Sequence, residues 1–375
     1  MIQNKLLRSL AARASILAGA ALLAACAASA PDAEGDGRAA ADRSAQHLSL
    51  ETPVAWGGQA RCADGQCRAA LVDHRAGEVV VWQLQGRSAS VLARHDVAYH
   101  PDGAAWLDDE HVVAAVERSQ GLDIFSLRGG VLALQQQINV GFAPRHVLVL
   151  DAGEDAVRML VTPYSGKRVS WVWWSRSSGQ AELQEADWCA TPWHPVPVPQ
   201  APGQRQEGLA VGCLDDGRVM WAALDAPERA PVELARFDAV PRQVAPSPSG
   251  RWLYVPLETG GRNARIDMNT GQVQYLPGWP AGAVAVAPLA DDMVIWGDDQ
   301  LLHLQRIAAD GSVLETRWLE TSGFSTTLQL IDLDHDDELD VLVLNSAGET
   351  SDVIYGPLWE NASVREPGQA ALPNP

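Results

Sequence analysis

One phrase recurs along most of this 375-residue chain: a short apolar run, a polar turn holding a glycine, then a second apolar run. Ala-Ala-Leu71-Val72-Asp-His-Arg-Ala-Gly77-Glu-Val79-Val-Val-Trp82 is one copy, and Val113-Ala-Ala-Val-Glu-Arg-Ser-Gln-Gly121-Leu-Asp-Ile-Phe125 is another. Equivalent turns follow at Gly166, Gly217 and Gly261, near Gly297, and at Gly348, so the glycines recur about every 45 residues. The runs are short, rich in β-branched and aromatic residues, and bounded by Gly, Pro, Asp and Asn, which marks strands rather than helices. A strand-only repeat of this length is the signature of propeller blades. Seven copies predict an all-β chain folded as a seven-bladed β-propeller. Each glycine is expected in a hairpin, supplying the positive φ of a tight turn. Residues 48–56 are expected to return a closing strand to the last blade. Two β-sandwich domains would also show short strands, but even spacing without a linker argues against them.

The N-terminus is a different kind of sequence. Residues 1–25 carry Lys5, Arg8 and Arg13 and no acid, and an Ala/Leu-rich stretch runs from Ala14 to Ala25. This is the layout of a secretory signal, too short for a comfortable membrane span. Leu23-Ala24-Ala25-Cys26 resembles the lipobox of bacterial lipoproteins. That resemblance implies an acylated Cys26 as the first mature residue, held at a membrane by several acyl chains where one alone binds marginally. Ala27 is not a retention signal of the Asp type, so the resemblance points to the outer membrane, facing the periplasm or the outside. The rival is an ordinary secreted protein with an incidental cysteine. Residues 26–45, polar and small after the cysteine, read as a flexible tether. Residues 46–365 then hold the propeller and 366–375 a short tail.

Without residues 1–25 the chain has 25 basic and 47 acidic residues, a net charge of −22. Such a surface repels phosphate backbones, which argues against a nucleic-acid partner. It also resists anionic headgroups, leaving the lipid anchor as the membrane contact. Besides Cys26 there are Cys62, Cys67, Cys189 and Cys213, an even number in an exported chain, which suggests disulfides. Of the three possible pairings, proximity favours Cys62–Cys67 with Cys189–Cys213. A zinc site is the alternative, without CxxC or histidine spacing to support it.

The sharpest local motif is Asp332-Leu-Asp334-His-Asp336-Asp-Glu338-Leu-Asp340-Val-Leu-Val-Leu-Asn. Alternating carboxylates that converge in a curled loop offer the hard oxygen ligands that suit calcium. An EF-hand is disfavoured, because position 12 is Val343 and the flanks are strand-like. The motif resembles the calcium loops of integrin-α-like (FG-GAP/VCBS) propellers. The resemblance implies Asp332, Asp334, Asp336 and Asp340 as side-chain ligands, and Glu338 as a carbonyl ligand, of a structural calcium. The departure is Asp337, which stands where that family has glycine. The equivalent loop holds Asp151-Ala-Gly-Glu154-Asp155 in the third repeat and Cys62-Ala-Asp-Gly-Gln-Cys67 in the first, where a disulfide would close it instead.

No linear catalytic motif is present: no Gly-x-Ser-x-Gly, His-Glu-x-x-His or Walker-type loop. His95, His100 and His111 read as turn or rim residues, and His146 follows Pro144-Arg145. Trp82, Trp171 and Trp221 recur after the turn glycine and are expected to pack between blades, with Trp171 and Trp173 sharing one strand face opposite Trp174. Trp188, Trp193 and His194 lie in a Pro-rich stretch expected to be a loop. No catalytic residue is assigned. The expectation is a membrane-tethered interaction module for an envelope protein or polysaccharide. The alternative is a propeller enzyme, a lactonase or quinone-dependent dehydrogenase, with its site in the central channel.

Overall fold

Each repeat folds as one antiparallel sheet, and seven such sheets make the ring. The computed structural model describes residues 46–364 apart from Ala55, Arg205 and 279–281. The blades span 58–96, 101–139, 144–187, 192–236, 245–276, 285–320 and 325–354. The chain enters each blade at its innermost strand and moves outward strand by strand. The last blade takes its outermost strand from the N-terminus: His47–Leu50 pairs antiparallel with Ser351–Ile354, His47 opposite Ile354. The closing strand is thus found where the sequence places it, though confined to four residues. After a four-residue helix, Leu358–Asn361, the pair Ser363–Val364 adds a fifth strand to the sixth blade. Cys26, the signal segment, the tether and the tail lie outside the described residues. Among the described residues no helix is long and apolar enough to cross a membrane.

All seven turns read from the sequence are the hairpins between second and third strands. The role of glycine differs among them. Gly217 has a φ of 66°, and a Cβ there would stand 2.3 Å from the Phe237 carbonyl oxygen. At the second blade it is Gln120 that takes the left-handed conformation, with a φ of 53°. Gly121 is instead required by packing, because its Cβ would meet the Ile138 oxygen at 2.5 Å.

The core lies between blades. Trp171 and Trp173 pack with Leu209, Val211 and Met220 of the fourth blade, while Trp174 packs with Leu122 and Ile124 of the second. The two faces of one strand therefore serve two neighbours, as the alternation predicts. Near the axis, glutamine side chains splice inner strands together. Gln329 of the last blade accepts from Ala60 N at 2.8 Å and donates to Ala60 O at 2.9 Å in the first. Gln243 accepts from Val286 N at 3.2 Å and Leu328 N at 3.4 Å. Each amide satisfies backbone groups that an inner strand exposes on its channel edge.

The Pro-rich stretch corrects the reading of Trp193 and His194 as loop residues. Pro192–Val198 is the innermost strand of the fourth blade. Its prolines are tolerated because an innermost strand has a sheet neighbour on one side only. Trp193 is 2 % exposed and Trp188 8 %. Both disulfides form as proximity suggests: Cys62–Cys67 across the first hairpin, and Cys189–Cys213 from the connector before the fourth blade to its second strand.

Candidate functional site

Because strands alternate in direction, innermost strands begin on the same face of the ring as the second-to-third hairpins. Proline opens four of these strands or stands just before one: Pro101-Asp102, Pro144-Arg145-His146, Pro192-Trp193-His194 and Pro241-Arg242-Gln243. The residues after these prolines converge at one mouth of the channel. Trp56, just before the first inner strand, joins them, as do His74, Tyr164 and Glu258 from the hairpins.

Aromatic rings and guanidinium groups form the centre. Trp193 meets Trp56 edge-on with centroids 5.1 Å apart, and His146 lies 5.0 Å from both Trp193 and His194. The Arg145 guanidinium stacks 3.9 Å from the Tyr164 ring, 4.5 Å from Trp193 and 5.0 Å from Trp56. Arg242 approaches the same two indoles at 5.0 and 5.6 Å and pairs with Glu258. The two guanidinium groups thus share one aromatic wall, where Arg242 is paired with Glu258 and Arg145 faces only the more distant Asp102.

Asp102 is fully buried. Its Oδ1 lies 3.1 Å from His74 Nδ1 and its Oδ2 4.0 Å from Arg145 Nε. Neither contact is an aligned hydrogen bond, so among the described residues both carboxylate oxygens and Arg145 Nε lack a hydrogen-bond partner, as do His146 Nε2 and His194 Nδ1. The tight approach of strands explains the burial: a Cβ on Gly57 would touch Gly103 at 3.0 Å and His146 Nδ1 at 3.5 Å.

The electrostatics follow from this enclosure. Burial, reinforced by His194 and Arg145, holds His146 far below the usual histidine value, and burial alone lowers His194 to about 4. Both rings are neutral near pH 7. Burial also lowers Arg145, against the pull of Asp102. The Asp102 contact raises His74 despite partial burial. The mouth therefore combines the Arg145 cation, an Arg242–Glu258 ion pair, neutral imidazoles and the buried Asp102 carboxylate, a set suited to binding a polar ligand and handling a proton.

The acidic motif lies on the opposite face, between the first and second strands of the last blade. Asp332, Asp334 and Asp340 each bring a carboxylate oxygen within 4.8 Å of the others. Asp332 caps the loop by accepting from His335 N at 2.8 Å and Asp337 N at 3.2 Å, and Asp337 adopts the left-handed φ of 66°. Asp340 accepts from Leu333 N and Gly356 N, and burial beside Asp334 and Asp336 pushes it up to about 6. Among the described residues Asp334 Oδ1 has no hydrogen-bond partner. Asp336 turns to Arg87, and Glu338 points to solvent. The disulfide hairpin is the neighbouring loop, with Cys62 Sγ 3.3 Å from the Asp332 carbonyl oxygen.

The other histidines separate: His95 packs on Phe125, while His111 pairs with Asp108 on the acidic-loop face. A cleft of about 220 Å3 between Arg61, Arg68, Trp106 and Asp109 also opens on that face. Its arginines are already occupied, Arg61 by Asp109 and Arg68 by Gln66, Gln83 and the Asp109 carbonyl. We therefore place the candidate site at the channel mouth.

No protein-family profile matches the sequence, and no curated protein is similar to it. Solved structures do share its fold. A candidate 6-phosphogluconolactonase of Bacteroides fragilis is 11 % identical, with a TM-score of 0.56 over 74 % of this chain and 86 % of that one. One from Bacteroides uniformis is 16 % identical, with a TM-score of 0.53 over 71 % and 84 %. The periplasmic gluconolactonase of Pseudomonas aeruginosa is 14 % identical, with a TM-score of 0.57 over 75 % and 88 %. The chain is a seven-bladed β-propeller with gluconolactonase-like structural neighbours.

Proposed function

We propose that this chain is a hydrolase that opens a small sugar-derived lactone at the channel mouth. One observation carries the reading: buried polar atoms of Arg145, His146 and His194 converge beside the buried Asp102 carboxylate without a hydrogen-bond partner among the described residues. Each such group costs about 1–3 kcal/mol and persists where a ligand completes it. The grouping of guanidinium, imidazole and carboxylate at one mouth favours hydrolysis over an interaction module as the first reading. The names of the structural neighbours support a lactone over other esters.

The chemistry fits the residues. When water adds to a lactone carbonyl, negative charge develops on the carbonyl oxygen, and Arg145 is a fixed donor for it. Arg242 provides a second cation for an anionic group of the substrate or for the carboxylate of the product. The water oxygen bonds to the carbonyl carbon, the acyl–oxygen ring bond breaks, and the water proton ends on the departing ring oxygen. His146 and His194, neutral and rigid, are placed to hydrogen-bond sugar hydroxyls. The test is proton release from gluconolactone and its 6-phosphate above the uncatalysed rate. Arg145→Ala should lower kcat by about 100-fold or more. A wild-type protein inert on both would overturn the reading.

We propose further that Asp332, Asp334 and Asp340 hold a structural calcium, supported by their convergence and by the unpartnered Asp334 oxygen. Acylation of Cys26 and residence at the outer membrane complete the proposal. Two disulfides in a chain with a lipobox-like leader agree with an oxidising compartment.

A further inference from the structure

We infer that His74 is the proton acceptor of the reaction proposed above, and that Asp102 is the positioning residue that fixes it against Arg145. The inference rests on the hydrolase reading and gives a chemical role to a hairpin residue of the first blade.

The protonation state of the His74 ring follows from its neighbours. Nδ1 faces two groups that can only accept, the Asp102 carboxylate at 3.1 Å and the Pro101 carbonyl oxygen at 3.2 Å. Nδ1 must therefore carry the hydrogen, which leaves the lone pair of the neutral ring on Nε2. Nε2 makes no hydrogen bond among the described residues, and the side chain is 28 % exposed, so this nitrogen meets solvent. His146 and His194 are enclosed and held too low to take up a proton near pH 7.

Asp102 links this base to the anion-binding group. One carboxylate oxygen faces His74 and the other faces Arg145 Nε, 4.0 Å away. A single buried group thereby sets the spacing between the proton acceptor and the guanidinium that meets the developing oxyanion. The Pro101 carbonyl accepts the Nδ1 hydrogen and fixes the tautomer, while the carboxylate beside the ring stabilises the imidazolium as it forms. The rest of the surroundings are consistent with this role. The His100 ring meets His74 at 4.3 Å and is itself 3.6 Å from Glu117, while Tyr99 covers His100 at 3.8 Å. On the His74 turn, Asp73 is engaged by the backbone of Arg75 and Ala76. The charges facing the ring are thus Asp102 and Glu117, with Arg145 behind the former.

In the step itself, His74 Nε2 takes a proton from water as the water oxygen bonds to the carbonyl carbon. The carbonyl electrons move to its oxygen beside Arg145. On collapse the ring C–O bond breaks, and the imidazolium returns its proton to the leaving oxygen, giving the hydroxy acid with no other reactant.

The experiment compares wild type, His74→Gln and His74→Ala on gluconolactone between about pH 5 and 9. Wild-type kcat/KM should rise with pH through a step above the ordinary histidine value. His74→Gln should lose about 100-fold or more in kcat, lose that step, and keep KM and melting temperature. Added imidazole should restore rate to His74→Ala, which a merely structural role would not allow. If wild type is active and His74→Gln keeps its rate and pH step, the inference fails while the hydrolase reading stands. If wild type hydrolyses no lactone, both fail together.

Discussion

Arg87 of the first blade reaches across a blade boundary to Asp334 of the last, its Nε 2.8 Å from Oδ2. Its second terminal nitrogen stands 3.3 Å from Asp336, and the guanidinium lies 5.2 Å from the Tyr355 ring. The contact has a counterpart: Arg176, in the equivalent hairpin of the third blade, pairs with Asp108 of the second. In both, an arginine from a third-to-fourth-strand hairpin clasps the acidic turn of the preceding blade. At the ring closure this clasp touches the carboxylates expected to hold calcium, so arginine and metal act on one loop.

Removing the clasp should therefore matter most when metal is absent. Arg87 is more than one-third exposed, so Arg87→Ala is expected to cost only about 1 kcal/mol in a chelator. Calcium should reduce that loss by supplying the missing positive charge. Melting curves with and without calcium measure the difference, and Asp334→Ala should remove the calcium response in either background.

The closing strand carries a pH-dependent tie. His47 Nε2 is 3.0 Å from Oδ1 of the fully buried Asp352. The hydrogen bond that His47 donates to Asp352 raises His47; burial pushes Asp352 up, but bonds from His47 and Ser322 hold it below its usual value. A raised histidine contributes fully below its unfolded value of about 6.5 and loses that contribution as pH rises through the folded value. A lowered aspartate contributes above about 3.9 and loses it on acidification. The tie should thus be strongest between these limits. His146 and His194, held low, act in the opposite sense and destabilise the fold as pH falls below about 6.5. Comparing wild type with His47→Gln across pH isolates the tie, and their stability difference should shrink above neutrality.

The disulfides should differ in worth. Cys189 and Cys213 are 24 residues apart and wholly buried, whereas Cys62 and Cys67 are 5 apart in a hairpin already closed by its strands. Loop-closure entropy gives about 3.5 kcal/mol for the first and about 2 for the second. Denaturant unfolding of the paired Cys→Ala variants should show the larger loss at Cys189–Cys213.

Two turn glycines offer a local check on the same fold. Gly65 and Gly217 both have positive φ, but only Gly217 has an atom in the way of a Cβ. Gly65→Ala should cost about 1–2 kcal/mol from conformation alone, and Gly217→Ala distinctly more, as read by denaturant midpoints.

The blades were legible because their signals are local. Gly77, Gly166, Gly217 and Gly348 each mark a hairpin within one blade, and Cys62 faces Cys67 across such a hairpin. The mouth was not, because it draws a few residues from each of five blades. Its signal was present as proline followed by a charged or aromatic side chain at positions 101, 144, 192 and 241, in four of the seven blades. The prolines around Trp193 suggested a loop, since an innermost strand with a free edge has the composition of one. Burial then separates His146 from His111, which no sequence pattern could do.

The central claim, that the channel mouth receives a sugar acid or its lactone, is tested most directly by a crystal grown with gluconate, the ring-opened product. The account predicts gluconate with its carboxylate against Arg145 and Arg242 and hydroxyls near His146 and His194. Gluconate bound instead in the cleft between Arg61 and Arg68, or absent from the mouth at saturating concentration, would contradict it.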